Sequence, residues 1–493
     1  MTTQTLDQRE QRVVDLVPKA MLVDGAWVPA REGRTFDVAD PSTGQVLCSV
    51  PDAGPDDGLA ALAAAARVQD DWAATAPRER SEILRRGYEL ILERQDDLAL
   101  LMTLEMGKPL PEARGEVVYA AEFLRWFSEE AVRVDGGYAV APNGRGRFVL
   151  MRQPVGPCLL ITPWNFPMAM GTRKIGPAVA AGCTMVVKPA EQTPLSMLAL
   201  AEILVEAGLP SGVLNVVTTD RAAEVMEPLI HDRRARKLSF TGSTAVGRTL
   251  IAQSAEQVLR VSMELGGNAP FLVFDDADLD AAVEGAMLAK MRNIGEACTA
   301  ANRFLVHRSL ADAFADRLAA RMTALRVGRG VEEGVEVGPL VDEQAREKVA
   351  SLVQDAVSRG ARVVAGGGPL DGPGYFYSPT VLRDVPPAAR MAHEEIFGPV
   401  APVSVFDEEE QALAMANDTD YGLVAYVYTQ DLDRAFRVAE RLQTGMVGLN
   451  QGIVSNPAAP FGGVKHSGIG REGGRLGIEE FLETKYVALA VGR

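Results

Sequence analysis

Cysteine, histidine and tryptophan are scarce in this chain of 493 residues, with four of each. Cysteines at 48, 158, 183 and 298 cannot build a disulfide framework. No Cys-x-x-Cys pair occurs, and the histidines at 231, 307, 393 and 466 are far apart, so no metal-ligand spacing is present and no metal is expected. A reducing compartment, the cytoplasm, is the expected home. Basic runs are absent too: 50 Lys and Arg face 66 Asp and Glu, a net charge of −16, which argues against nucleic acid or an anionic membrane as partner. Residues 1–20, through Gln8-Arg9-Glu10-Gln11-Arg12, contain no apolar signal core, and no uninterrupted apolar run reaches roughly 18 residues. A soluble, unexported protein is expected. The lack of low-complexity tracts and fixed-period repeats excludes a solenoid.

What is present is length enough for two or three domains. From about Asp57 to Val134 apolar residues recur at helical spacing, as in Ile83, Leu84, Leu90, Ile91 and Leu98, with Pro77 and Pro109 as breaks. Between Gly136 and Gly156 the pattern becomes extended: Tyr138-Ala139-Val140 and Arg147-Phe148-Val149-Leu150 flank Pro142-Asn143-Gly144, a hairpin that serves either as an interface element or as a plain surface feature. From residue 157 short apolar strands alternate with helices: strands over Cys158–Thr162, Thr184–Lys188, Val213–Val217 and Lys237–Phe240, and helices from Met168 and over Ser196–Glu206. A second alternating series follows Pro270, with strands Phe271–Phe274 and Arg303–Val306 and helices over 309–325 and 341–358. Such alternation predicts two successive α/β units with doubly wound parallel sheets.

Cys298 stands apart from the other cysteines. Cys48, Cys158 and Cys183 lie in or beside apolar runs, whereas Cys298 has Gly295, Glu296, Thr299 and Asn302 around it, a small polar setting, more like a loop or helix start than a core strand, in which a thiol can be exposed and its pKa lowered. Paired with Glu264 in Met263-Glu264-Leu265-Gly266-Gly267, it supplies a nucleophile and a base for water, the minimum equipment for making and hydrolysing a thioester. Three further segments carry chemistry. Phe240-Thr241-Gly242-Ser243-Thr244-Ala245-Val246-Gly247 follows a strand and opens a helix, a setting for a pyrophosphate, although a glycine-rich turn without a ligand reads the same way and GxGxxG is absent. Lys188-Pro189-Ala190-Glu191 ends a strand, where both charged groups can hydrogen-bond a ribose diol and the carboxylate repels an added 2′-phosphate, favouring NAD over NADP; a solvated charge pair is the alternative. In Pro163-Trp164-Asn165-Phe166-Pro167 two prolines fix the backbone around an amide that either donates to an oxyanion or caps a turn.

Pro163-Trp164-Asn165, Lys188 to Glu191, Phe240 to Ser243, Glu264 to Gly267, Gly295 to Cys298, Glu395-Ile396-Phe397-Gly398-Pro399 and Pro460-Phe461-Gly462-Gly463 together resemble the NAD(P)-dependent aldehyde dehydrogenase superfamily, from about Asp24 to Tyr486. The resemblance implies an aldehyde dehydrogenase-like α/β fold: an NAD-binding domain over 1–135 and 155–266, a catalytic domain over 267–471, and a small β oligomerisation element over 136–154 and 472–493 that includes a strand Lys485–Val491. A homodimer or homotetramer is implied. Cys298 is then the nucleophile that forms a thiohemiacetal with the aldehyde. Asn165 and the Cys298 backbone N–H form the oxyanion site, hydride passes to the nicotinamide, and Glu264 activates water against the thioester. Glu395 holds the nicotinamide ribose and Lys188 and Glu191 the adenosine ribose, while Thr162, Trp164, Ala190, Gly242, Ser243, Leu265 and Phe397 match other cofactor contacts. NAD is the expected cofactor, with NADP open. A carboxylate at Glu264 separates the chain from CoA-acylating relatives and implies a free acid product.

Within the superfamily the chain is most similar to succinate-semialdehyde dehydrogenases, on Thr172-Arg173-Lys174, Glu264 through Pro270 and Phe274 through Asp280. Arg173 and Arg292 match arginines that bind the substrate's distal carboxylate, a partner suited to guanidinium forks, and Ser455 matches a third contact. Glutarate semialdehyde is the alternative substrate, and an inactive binding protein on the same fold the alternative of a different class. Three residues depart from the pattern. Glu296 stands where Gln is usual; its side chain is expected to point away from the thiol, and an inward-pointing one would oppose thiolate formation. Ala300 replaces a second cysteine used as a redox switch, so that switch is expected to be missing. Ala245 replaces a common acidic residue in the cofactor turn.

Overall fold

The computed structural model describes residues 6–490. Two large sheets organise the chain. The first has eight strands in the order Gly468–Ile469, Arg260–Glu264, Lys237–Thr241, Cys158–Ile161, Met185–Lys188, Leu214–Val216, Met21–Val23 and Ala26–Val28. Its middle five strands are parallel, while Gly468–Ile469 and Met21–Val23 join antiparallel at the flanks. The parallel strands read as continuous apolar runs because both faces are covered: every residue of Cys158–Ile161 and Met185–Lys188 is buried. The helix Ala169–Ala181 is buried along its whole length, which its alanines and glycines permit; Gly171 and Gly176 face the Met197 and Phe127 side chains, where a Cβ would crowd them.

The second sheet has seven strands, in the order Arg362–Ala365, Thr380–Arg383, Val400–Phe406, Ala301–His307, Ala269–Val273, Val424–Tyr428 and Met446–Leu449, parallel except at Arg362–Ala365. Phe271 centres its core, stacked on Tyr428 at 4.9 Å between centroids and flanked by Phe304 and Tyr426. A third sheet pairs Gly137–Val140 with Gly146–Pro154 and Gly146–Pro154 with Leu482–Ala490, all antiparallel.

The expected alternation of strands and helices is found, with element ends shifted by no more than two residues. The hairpin is present, and its strand Gly146–Pro154 is longer than expected. Two boundaries differ. Gly468–Ile469, expected in the second unit, extends the first sheet. The segment after 472 begins with a helix, Gly474–Glu479, packed on Ala169–Ala181, and joins the small sheet only at Leu482. Val491, the expected end of that strand, lies outside the described residues, as do residues 1–5 and 492–493. Strands between Met21 and Pro51 had no periodic signal: two are three residues long, and Leu22 is placed by pairing with the distant Val216. No helix among the described residues is long and apolar enough to cross a membrane.

Glu264 ends a strand of the first sheet and Ala269 starts one of the second. The carboxyl ends of the first sheet's parallel strands therefore meet the amino ends of the second sheet's, and the candidate residues collect there.

Candidate active site

The helix Leu279–Met291 breaks at a tight turn in which Asn293 (φ 53°), Ile294 (φ 62°) and Gly295 (φ 79°) are all left-handed. Non-glycine residues adopt this conformation only when their surroundings impose it. Here Glu112 accepts the Asn293 backbone N–H at 3.1 Å, and the Asn293 side-chain amide donates to the carbonyls of Asn165 (3.0 Å) and Glu296 (2.9 Å). Ile294 is buried, and a Cβ on Gly295 would lie 2.3 Å from the Gly398 oxygen. The turn delivers Cys298, half-buried, to the wall of a cavity of about 220 Å³.

Asn165 lines the same cavity. Its side-chain amide donates to the Glu296 carbonyl at 2.9 Å, which fixes the amide and leaves its second N–H for another acceptor. Lys108 donates to the Asn165 carbonyl at 2.8 Å and pairs with Glu116, whose other oxygen accepts the N–H groups of Met168 and Ala169. The loop that carries Asn165 is therefore pinned from a helix about fifty residues upstream in sequence.

Two groups of side chains share the cavity with Cys298 and Asn165. One contains Trp164, Gly242, Ser243, Leu265, Glu395 and Phe397. Trp164 and Phe397 meet edge to face at 5.4 Å, and Glu395 accepts the Gly267 N–H at 3.0 Å. Ser243 caps the helix Thr244–Ser254 by accepting the Val246 N–H. The other contains Tyr119, Phe166, Arg173, Arg292, Ser455 and Phe461. Arg292 donates to the Ser455 hydroxyl at 3.1 Å and lies over the Phe166 and Tyr119 rings, while the Arg173 guanidinium stacks 3.8 Å from the Phe461 ring centre.

Thr162, Lys188, Ala190 and Glu191 do not line this cavity. They form a cluster at adjacent strand ends, where Thr162 N–H donates to the Lys188 carbonyl at 3.1 Å and Lys188 pairs with Glu191 at 3.1 Å. Glu191 is the solvent-facing partner, its side chain 42 % exposed against 4 % for Lys188. Glu264 is likewise not a lining residue. Its carboxylate is buried, with one oxygen lying where a Cβ on Gly462 would come within 2.8 Å and the other without a partner.

The electrostatics correct one expectation. Burial pushes the Cys298 thiol up to about 12, with Glu395 and Glu264 adding and Arg173 and Arg292 opposing, so the resting thiol is not acidified as its polar sequence neighbours suggested. Burial, then Glu472, holds Glu264 well above the usual carboxylate range, and burial lifts Glu395 to about 6. One Glu296 carboxyl oxygen accepts the Val341 N–H at 3.2 Å.

Sequence reasoning missed Lys108, Glu112, Glu116, Tyr119 and Glu472. Phe461 was in a recognised motif but had no assigned role. Among the described residues no cluster of His, Cys, Asp and Glu could hold a metal ion.

The chain is 59 % identical to a succinate-semialdehyde dehydrogenase of Paenarthrobacter nicotinovorans over 90 % of its own length and 99 % of the relative's. It is 53 % identical to a glutarate-semialdehyde dehydrogenase of Pseudomonas aeruginosa, covering 95 % and 96 %. The crystal structure of an Escherichia coli NADP-dependent enzyme superposes with a TM-score of 0.95 at 51 % identity, covering 97 % of this chain and 99 % of that one. Residues 27–487 match the aldehyde dehydrogenase family over more than nine-tenths of the sequence, and the chain belongs to that family.

Proposed function

We propose that this protein oxidises succinate semialdehyde to succinate, using a nicotinamide dinucleotide and water. The observation that carries this reading is one cavity holding a thiol, Cys298, beside two guanidinium groups, Arg173 and Arg292. Arg173 is 2 % exposed and has a buried Nη2 without a hydrogen-bond partner. A four-carbon aldehyde with a distal carboxylate satisfies both ends, and the fork geometry of guanidinium suits that carboxylate. Glutarate semialdehyde, one methylene longer, is the second reading, supported by the relative named for it.

Cys298 Sγ attacks the aldehyde carbon, forming the C–S bond of a thiohemiacetal. The new oxyanion accepts from the free Asn165 N–H and from the Cys298 backbone N–H, a preorganised donor pair of the kind that contributes roughly 10²- to 10³-fold in rate. Because the Cys298 thiol is held high, its proton must leave as attack occurs. Glu264, whose ionised form is made a stronger base by burial, is the acceptor assigned to it; once that proton has passed to solvent, Glu264 is assigned to the attacking water as well. Loss of hydride from the thiohemiacetal carbon to the dinucleotide, when bound, would leave a thioester, and water attack on that thioester breaks the C–S bond, releases succinate and returns the thiol.

The residues present fit a dinucleotide: the Gly242-Ser243 turn opens a helix, the Thr241 hydroxyl is buried without a partner, and Glu395 is anchored beside Gly266. Gly242, Ser243, Leu265, Trp164, Phe397 and Glu395 would hold the nicotinamide half, and Thr162, Lys188, Ala190 and Glu191 the adenosine half. When bound, the dinucleotide supplies the hydride acceptor. Glu191 favours NAD by repelling a 2′-phosphate.

In this reading the first sheet, Gly468–Ile469 included, and its helices form the cofactor domain, and the second sheet with its helices the catalytic domain. The small sheet, with Tyr138, Val140, Leu150, Tyr486 and Leu489 exposed, forms the contact of a homodimer or homotetramer. The scarcity of paired cysteines suits the cytoplasm.

The decisive experiment is a panel of succinate semialdehyde, glutarate semialdehyde and uncharged aldehydes of equal length, with NAD and NADP. The highest kcat/KM is expected for succinate semialdehyde with NAD. Good oxidation of uncharged aldehydes with no turnover of either ω-oxo acid would sink the proposal.

A further inference from the structure

We propose that Glu296 is a positioning residue that works as a neutral acid: its carboxyl clamps the Cys298 loop to the Val341 backbone, and loss of its proton unseats the loop and sets an alkaline limit on activity. The inference rests on the reading of Cys298 as nucleophile.

Glu296 is fully buried. One carboxyl oxygen accepts the Val341 N–H at 3.2 Å, across from a separate segment of the chain, and the other is buried with no partner. Its own carbonyl receives the side-chain amides of both Asn165 and Asn293 at 2.9 Å. One residue thus joins three parts of the site: the left-handed turn, the oxyanion amide and, two positions on, Cys298.

The charged groups around it do not compensate an ionised carboxylate. Asp342, the cap of the helix Glu343–Ser358, is of like sign. Lys108, after the helix Gln95–Met106, pairs with Glu116 and donates to Asn165. Glu112, at the start of Leu110–Glu130, is another carboxylate and is bound to the Asn293 N–H. On the loop itself Cys298 carries the only other ionisable side chain between Asn293 and Thr299. An ion with one oxygen lacking a donor, near the Asp342 carboxylate and away from water, is strongly disfavoured; a neutral acid keeps the Val341 contact without that penalty. Burial holds the carboxyl well above its usual range, partly opposed by the Val341 N–H and Lys108 and reinforced by Asp342. The sign follows: the neutral, clamping form exists at lower pH, and the site fails as pH rises through the proton's loss.

Glu296→Gln keeps the size and the acceptor and cannot ionise, so it separates the clamp from its titration. With the full-length enzyme, kcat/KM is measured from about pH 6 to about pH 10. Glu296→Gln should lie within about threefold of wild type at neutral pH, with its alkaline fall moved up by more than about one pH unit; Glu296→Ala should lose about tenfold or more throughout. The infrared difference between wild type and Glu296→Gln should contain a protonated-carboxyl C=O band that disappears across the wild-type alkaline fall. Identical alkaline limbs, absence of the band, or a Glu296→Gln enzyme as impaired as Glu296→Ala would overturn the proposal. If no aldehyde is oxidised at any pH, the reaction reading fails separately. Alkylation of Cys298 by iodoacetamide, followed by peptide mapping, then tests the clamp: the wild-type and Glu296→Gln rates should diverge at the pH where the band disappears, and parallel rates would overturn it.

Discussion

Glu472 bridges two buried cations, its carboxylate lying 3.3 Å from Arg173 Nε and 2.5 Å from Lys174 Nζ. All three side chains are almost wholly inaccessible, so Glu472 is the counter-charge that lets a guanidinium sit in the Cys298 cavity at all. It also stands near Glu264, where its charge adds to the effect of burial in holding that carboxyl high.

Glu472→Gln should therefore act in two ways. Leaving Arg173 and Lys174 without a counter-charge should cost roughly 3–5 kcal/mol, read as a lower urea midpoint. With the like charge gone, the Glu264 pKa falls, and the acid limb of kcat moves to lower pH. The sign for stability runs the same way: a carboxyl raised in the folded state keeps its proton while the unfolded chain loses one, so stability declines as pH climbs from the ordinary carboxylate range through the folded pKa. That decline should be shallower in Glu472→Gln. An unmoved acid limb would show that Glu264 does not feel Glu472 in the working enzyme.

Arg292→Ala should raise KM for succinate semialdehyde by about 10- to 100-fold, as expected for losing a charge-assisted hydrogen bond of about 1.5–3 kcal/mol. For an uncharged aldehyde of equal length the change should be within about twofold, because Arg292 then has only its packing on Phe166 and Tyr119 and its bond to the Ser455 hydroxyl to lose. Equal effects on both substrates would remove Arg292 from the carboxylate clamp.

Cofactor choice can be read at Glu191, which is solvent-facing and paired with Lys188. Glu191→Gln keeps a ribose hydrogen bond and removes the repulsion of a 2′-phosphate. KM for NADP should fall by about fivefold, the scale of one partly exposed charge interaction, with a smaller change for NAD. No change in the NADP-to-NAD ratio would place discrimination elsewhere.

The candidate reacting groups were legible because their signals are local. A thiol among glycine and polar residues, an amide between prolines and a carboxylate before two glycines each announce a backbone arrangement within a few positions. The alternation of apolar strands with helices likewise exposed both α/β units. The supports of the site left no such trace. Lys108, Glu112 and Glu116 belong to a helical region whose pattern speaks only of a core, and their targets, Asn165 and Asn293, are fixed by chain topology. The Cys298 acidity was misjudged for the same reason: its polar sequence neighbours say nothing of the desolvation imposed by the cavity walls.

Gly267 tests how tightly the two sheets hold the chemistry. A Cβ there would stand 2.4 Å from the Cys298 carbonyl oxygen, with Leu423 behind it at 3.5 Å, and the Gly267 N–H is the donor that anchors Glu395 at 3.0 Å. The obstacle is backbone rather than a flexible side chain, so Gly267→Ala must push apart the strand start at Ala269 and the nucleophile loop. A shift of about 1 Å in reacting groups costs roughly 10²-fold in rate, and kcat should fall by at least that much, with KM for NAD rising as Glu395 loses its anchor. Gly115→Ala is the control. That glycine lies on the exposed face of the helix Leu110–Glu130 with nothing within 4 Å of a new Cβ, and alanine there should stabilise by about 0.5–1 kcal/mol without touching kcat. If Gly267→Ala matched Gly115→Ala in rate, the contact between Gly267 and Cys298 would not set the geometry of the nucleophile.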